Sequence, residues 1–160
     1  MHAPIQSADV SAPRAAQTQH AFSMVCAVEV NIHASAQAIW SILTDASRFP
    51  RWNSTITRID GEIRDGERLR LHVPGTARTF APRVSGVIAN ERMIWTGGVA
   101  PFFTGVRTFG LRPRADGSTD FAMRERFSGL MLPVMRRFLP DFGPVFTSFA
   151  ADLKRESERP

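Results

Sequence analysis

One long amphipathic helix closes this chain, and it limits what the strands before it can build. Phe142, Val145 or Phe146, Phe149 and Leu153 recur at helical spacing, with Asp152, Lys154, Arg155, Glu156 and Glu158 on the outer side. Pro144 suits the first turn. Strands with apolar inner faces must cover those faces with something. No other long amphipathic element is available to do it.

The strands themselves are easy to find. From Phe22 through Met24, Cys26, Val28, Val30 and Ile32 every second residue is apolar, which predicts a half-buried strand. Ser35 then caps a helix marked by Ala38, Ile39, Ile42 and Leu43, with Trp40 beside them. That helix should end before Pro50, and Phe49 to Asn53 reads as a turn or second short helix that buries Trp52. Ile56 to Asp60 is the next strand, and Asp65-Gly66 marks a turn. Leu69, Leu71 and Val73 alternate with Arg70 and His72 before Pro74-Gly75. Phe80, Pro82, Val84, Gly86 and Ile88 share one parity, with Pro82 implying an edge or bulge. A tight turn at Asn90-Glu91 would set Ile88 opposite Met93 and Gly86 opposite Trp95.

The last hairpin turns at Asp116-Gly117. Pairing Leu111 with Phe121 sets Phe109 opposite Met123 and Arg107 opposite Glu125, two apolar rungs and one ionic rung on a shared face. The expected class is therefore α+β, an antiparallel sheet of about seven strands curved around the C-terminal helix, with two short helices after the first strand. Residues 1–20, rich in Ala, Pro, Gln and Ser, are expected to be a flexible extension. Residues 21–160 are expected to be a single domain, as their number favours.

Charge and composition narrow the function. The net charge is +5, and the arginines are scattered among acids rather than gathered in a run. Tyrosine is absent, so no surface of interleaved aromatics and basics for nucleic acid is expected. Cys26 is the only cysteine, which rules out an internal disulfide and a cysteine zinc cluster. Cys26 has inward parity and no nearby cue for activation. His2, His20, His33 and His72 lack metal-ligand spacing, and no cofactor is expected. There is no Ser-His-Asp signature, phosphate loop or Rossmann fingerprint. No membrane span or secretory signal is recognised, and the cytoplasm is the expected location. Nothing in the sequence indicates an oligomeric state.

The run Ile32 to Asp45, followed by Phe49-Pro50-Arg51-Trp52-Asn53, resembles the opening of START-like, polyketide-cyclase-type proteins, the SRPBCC superfamily. Met93-Ile94-Trp95 with Gly97, Gly105 to Phe109, Glu125 to Gly129 and the Phe-rich terminal helix extend the resemblance over residues 24–158. It implies a helix-grip fold with a deep cavity between sheet and final helix, and 21–160 as one START-like ligand-binding domain. One departure stands out: many similar proteins carry histidine where this chain has Arg107. Arginine is no practical acid or base, which argues against proton transfer there.

The cavity lining is then expected to be Leu71, Val84, Trp95, Arg107, Phe109, Met123, Glu125 and Phe127, with Phe146 and Phe149 from the helix. Arg107 and Glu125 either grip a ligand carboxylate or phenolate or brace the hairpin as a structural ion pair. The expected partner is a small hydrophobic molecule such as a lipid, polyketide or aromatic, with no catalytic residue assigned. The alternatives are a cyclase/dehydratase-type enzyme using the same cavity, and a protein- or membrane-interaction module with a filled core. Val99 to Phe103 and Leu130 to Leu139 are either lid and portal or plain packing. Arg136 and Arg137 beside Met131, Met135 and Phe138 suggest weak contact with an anionic membrane surface.

Overall fold

The computed structural model describes residues 12–160. A hairpin of β1 (Arg14–His20) and β2 (Ser23–Ile32) leads into α1 (Ala36–Leu43), a single 3-10 turn and α2 (Phe49–Trp52). Three short strands follow, β3 (Arg58–Asp60), β4 (Arg70–His72) and β5 (Thr79–Phe80). Then come β6 (Arg83–Ile88), β7 (Arg92–Val99), β8 (Phe103–Pro113) and β9 (Thr119–Ser128). The chain ends with α3 (Leu132–Met135), a second 3-10 turn and α4 (Phe142–Ser157).

Six strands form one antiparallel sheet in the order β1-β2-β9-β8-β7-β6, and β3-β4-β5 form a small second sheet. The small sheet joins the edge strand β6 through a bridge between Arg68 and Arg83. The period-two reading of β2 holds, since Met24 to Ile32 are buried at every second residue. Ser35 caps α1 by accepting from the Ala38 N–H at 3.2 Å, and Asp141 caps α4 from Gly143 at 3.0 Å. The expected α+β architecture, a curved sheet gripping one long helix, is the one observed.

Three local expectations need correction. Within the expected extension over 1–20, Arg14–His20 form β1, paired along its whole length with β2; residues 1–11 lie outside the described residues. β1 shows no apolar alternation because backbone hydrogen bonds to the β2 edge hold it, not a buried face. Second, Ile88 pairs with Arg92 rather than Met93, and a further one-residue shift between Ser85 and Ile88, where Gly86 has φ +59°, sets Trp95 opposite Val84 rather than Gly86. Third, Asp152 is not an outer-face residue of α4. It is buried, and its Oδ2 accepts from the Ser54 N–H at 2.8 Å and the Ser54 hydroxyl at 2.6 Å. Arg155 donates to its other oxygen at 2.7 Å, so this carboxylate clamps α4 to the loop after α2.

At the other end of the sheet, three loops are tied together. Gly129 N–H donates to the Phe22 carbonyl at 3.2 Å, Leu130 to Pro101 at 3.0 Å and Met131 to Phe102 at 2.9 Å. Gly129 has φ +141°, and a Cβ there would run into the Phe102 carbonyl and lie 2.8 Å from Phe103 Cα. Gly129→Ala is therefore expected to cost about 1–3 kcal/mol from backbone strain alone, more with the collision. Urea unfolding checks this; a variant as stable as the parent would mean the three loops are not held in this arrangement.

Candidate functional site

One lateral row of side chains crosses the middle of the concave face. Successive register partners place Val84, Trp95, Arg107, Glu125, Cys26 and Gln17 side by side on β6, β7, β8, β9, β2 and β1. The hairpin turned at Asp116-Gly117 therefore sets Arg107 against Glu125 as expected, with Phe109 against Met123 and Leu111 against Phe121 in the next rungs. Arg107 donates to a single oxygen of Glu125, through Nε at 3.0 Å and Nη2 at 2.6 Å. Its guanidinium lies 5.2 Å from the centre of the Phe146 ring, a cation–π distance that places the pair against α4.

The pair is less tightly enclosed than its neighbours. Arg107 and Glu125 keep 16% and 12% of their side-chain surface exposed, while Trp95, Phe109, Met123, Phe146 and Phe149 are at 2% or less. Solvent therefore still reaches the ionic groups, while the rings beside them are sealed. Arginine has five N–H donors, and those facing Glu125 use only part of that set. The adjacent Trp95 Nε1 is buried with no hydrogen-bond partner. Gly105, next along β8, leaves the carboxylate room, since a Cβ there would lie 3.2 Å from Glu125 Oε1. Burial first, then the nearby Glu125 and Asp141 charges, push the Cys26 thiol up to about 11. Cys26 is thus a neutral, buried thiol at physiological pH, with little nucleophilic character.

The expected open cavity between the sheet and α4 requires correction, because aromatic rings fill that layer. Phe149 sits 5.9 Å from Phe109, 6.3 Å from Phe121, 5.6 Å from Trp52 and 6.4 Å from Phe49, centre to centre. Trp95 meets Phe109 edge-on at 4.8 Å. Strand parity reveals which face a side chain occupies; it does not reveal whether side chains from opposite layers meet. Of the ten expected lining residues, Leu71, Val84, Trp95, Phe109, Met123, Phe146 and Phe149 share the main apolar cluster, and Arg107 and Glu125 border it. Phe127 does not join that cluster. It packs with Met24 and Leu132 nearer the open end, stacked on Phe142 at 4.7 Å and Phe103 at 5.8 Å.

Open space lies at the mouth of the grip instead. A cleft of about 670 Å³ is lined by Gln17, Gln19, Met24, Arg136, Leu139, Pro140 and Asp141. It lies between the β1–β2 edge and the segment that leads into α4. Gln17 belongs both to this cleft and to the row containing Cys26 and Glu125. Sequence reasoning missed Gln17, Gln19 and Asp141, whose polar character reads as ordinary surface. A second cleft of about 540 Å³ involves Glu29, Glu91, Arg92, Arg112, Arg114 and Asp120, away from the ionic row.

Elsewhere, His72 Nε2 lies 2.9 Å from Asp60 Oδ2. That contact, followed by Arg58, holds the Asp60 carboxyl below its ordinary range. The pair lies on the small sheet, far along the chain from the ionic row. Among the described residues, no group of three His, Cys, Asp or Glu side chains is placed to hold a metal ion. No described helix is long and apolar enough to cross a membrane.

Comparisons with known proteins fit this geometry. A family model described as polyketide cyclase / dehydrase and lipid transport matches residues 24–158. A START superfamily protein from Mycobacterium smegmatis superposes with a TM-score of 0.62 at 21% identity, covering 84% of this chain and 97% of its own. A conserved protein of unknown function from Enterococcus faecalis has a TM-score of 0.64 at 18% identity, covering 91% and 78%. DynU16, a putative protein in the dynemicin biosynthetic locus, has a TM-score of 0.62 at 20% identity, covering 84% of this chain and 48% of its own. At these identities the likeness is one of fold. No protein of curated function matches the sequence.

Proposed function

Because this chain belongs to the polyketide cyclase / dehydrase and lipid transport family, we propose that it binds a small hydrophobic ligand against the concave sheet, with the ligand's acceptor group on Arg107. One observation carries the reading: an arginine–carboxylate pair with spare donors, incompletely enclosed in an otherwise closely packed aromatic interior. A ligand carboxylate, phenolate or enolised ketone would use those donors, and Glu125 would hold the guanidinium in orientation. Entry would run through the mouth cleft, with Phe146 and the Phe127–Phe142 stack shifting to admit an apolar tail. Lipid, polyketide and aromatic ligands all fit this description.

The filled aromatic layer favours a second reading, an interaction module that carries no ligand. A cyclase/dehydratase use of the same site has less support. It would have to employ Glu125 as base, since arginine is no practical acid or base and Cys26 stays neutral.

Titration with decanoate and decanol, followed by tryptophan fluorescence, separates these readings. The protein is expected to prefer decanoate. Arg107→Gln is expected to weaken decanoate by roughly ten- to a hundred-fold while leaving decanol unchanged, the range for a hydrogen bond to a charged group. Unchanged decanoate affinity in a variant that only melts earlier would assign the pair a purely structural role.

A further inference from the structure

The mouth end of the sheet carries a cluster of exposed apolar side chains. Phe22 from the β1–β2 turn, Phe102 from the β7–β8 turn, and Leu130, Met131, Val134 and Phe138 after β9 are all exposed, Phe138 at 81%. These turns lie far apart in sequence. The bonds from Gly129 to Phe22, Leu130 to Pro101 and Met131 to Phe102 gather them at one place. Beneath them lies the packed Met24, Phe127 and Leu132 cluster, with Phe103, Leu139 and Phe142 against it. The apolar tips therefore stand on a firm base. A monomeric soluble protein rarely leaves so many large apolar groups together in water.

The segments that build this tip carry charge of one sign, with the acid Asp141 in the adjoining cleft. Segments 20–25, 97–106 and 126–140 contain His20, Arg126, Arg136 and Arg137 and no aspartate or glutamate. Arg136 donates to the carbonyls of His20 and Ala21, which places its charge beside the Phe22 turn. Arg137 is exposed.

We propose that this tip docks on an anionic lipid bilayer, inserting Phe22, Phe102 and Phe138 at the headgroup boundary with the arginines on the phosphates. The apolar groups come from loop tips rather than a shaped groove, which suits a fluid interface better than a fitted protein partner. Apolar insertion and basic attraction then act together, as they do for interfacial segments. Docked this way, the mouth cleft beside Arg136 and Leu139 would open toward the lipid. The inference concerns the outer surface and does not require an interior ligand.

Flotation of the full chain with phosphatidylglycerol/phosphatidylcholine vesicles, against pure phosphatidylcholine, tests it. Binding is expected to the anionic vesicles and to fade with salt. Phe102→Ser combined with Phe138→Ser is expected to weaken it about ten-fold or more, and Arg137→Gln by roughly five-fold. These side chains are exposed, so the variants should keep the parent's urea midpoint, which is measured alongside. No binding to anionic vesicles, or equal binding by the Phe variant, would overturn the proposal. A concentration-dependent dimer abolished by the same substitutions would also overturn it, assigning the patch to a second copy of this chain.

Discussion

Glu125→Ala is expected to lower the unfolding free energy by about 3 kcal/mol, the lower end for breaking a buried pair, because the pair is not fully sealed. The variant leaves the Arg107 guanidinium over the Phe146 ring without its counter-charge. For a chain of this length that corresponds to a fall of roughly 10 °C in melting temperature. Replacing both partners by apolar residues of similar size, Arg107→Met with Glu125→Leu, is expected to restore most of the loss, because no charge is then stranded. The doubly substituted protein should fold well and lose its preference for decanoate over decanol. That combination distinguishes the two roles of the pair. If the double variant is as unstable as Glu125→Ala alone, side-chain shape rather than charge governs the position.

Phe149→Ala should be comparably damaging, at about 3–5 kcal/mol. Its ring is the hub of the layer between sheet and helix, within 6.4 Å of Phe49, Trp52, Phe109 and Phe121. Four rings from three elements, α2, β8 and β9, cannot all move in to fill the gap, so most of the vacated volume should remain. An apolar void of that kind stays dry and takes small aromatics. Benzene is therefore expected to raise the melting temperature of Phe149→Ala and leave the parent unchanged. A variant that benzene does not stabilise would show that the layer collapses when its central ring is removed. The aromatic filling would then be far more plastic than the static contacts imply.

The parts of this fold that could be read in advance were those set by local rules. Asp116-Gly117 determined the turn, the turn determined the register, and the register placed Arg107 opposite Glu125 and Phe109 opposite Met123. Alternation in β2 and the helical spacing of Phe146, Phe149 and Leu153 separated inside from outside. Where local rules gave out, the reasons are physical. β1 is held by backbone bonds along an edge, so its polar side chains carry no trace of it. A one-residue change in the β6–β7 turn register and a bulge at Gly86 together exchanged the partner of Trp95. Asp152 looks like a solvent-facing helix acid until Ser54, nearly a hundred residues earlier, supplies two of its three donors.

The site divides along the same line. Its polar pair was legible because both residues lie on one hairpin. Its state of filling was not, because that depends on how closely α4 approaches the sheet, and no local pattern records that distance. The mouth cleft was missed for a related reason. Gln17, Gln19 and Asp141 read as solvated surface, and only the fold brings them to the rim beside Met24 and Leu139.

The central proposal is that a ligand's polar end reaches Arg107 inside the grip. Proton–nitrogen NMR during a decanoate titration observes this most directly, because Trp95 Nε1–H lies in the same row and has no partner of its own. The Trp95 indole and Arg107 Nε–H signals are expected to shift together and saturate at one ligand concentration, while the indole of Trp40 on α1 stays in place. Shifts confined to residues 130–139, with Trp95 and Arg107 unmoved at saturation, would place decanoate on the outer tip and contradict an interior site.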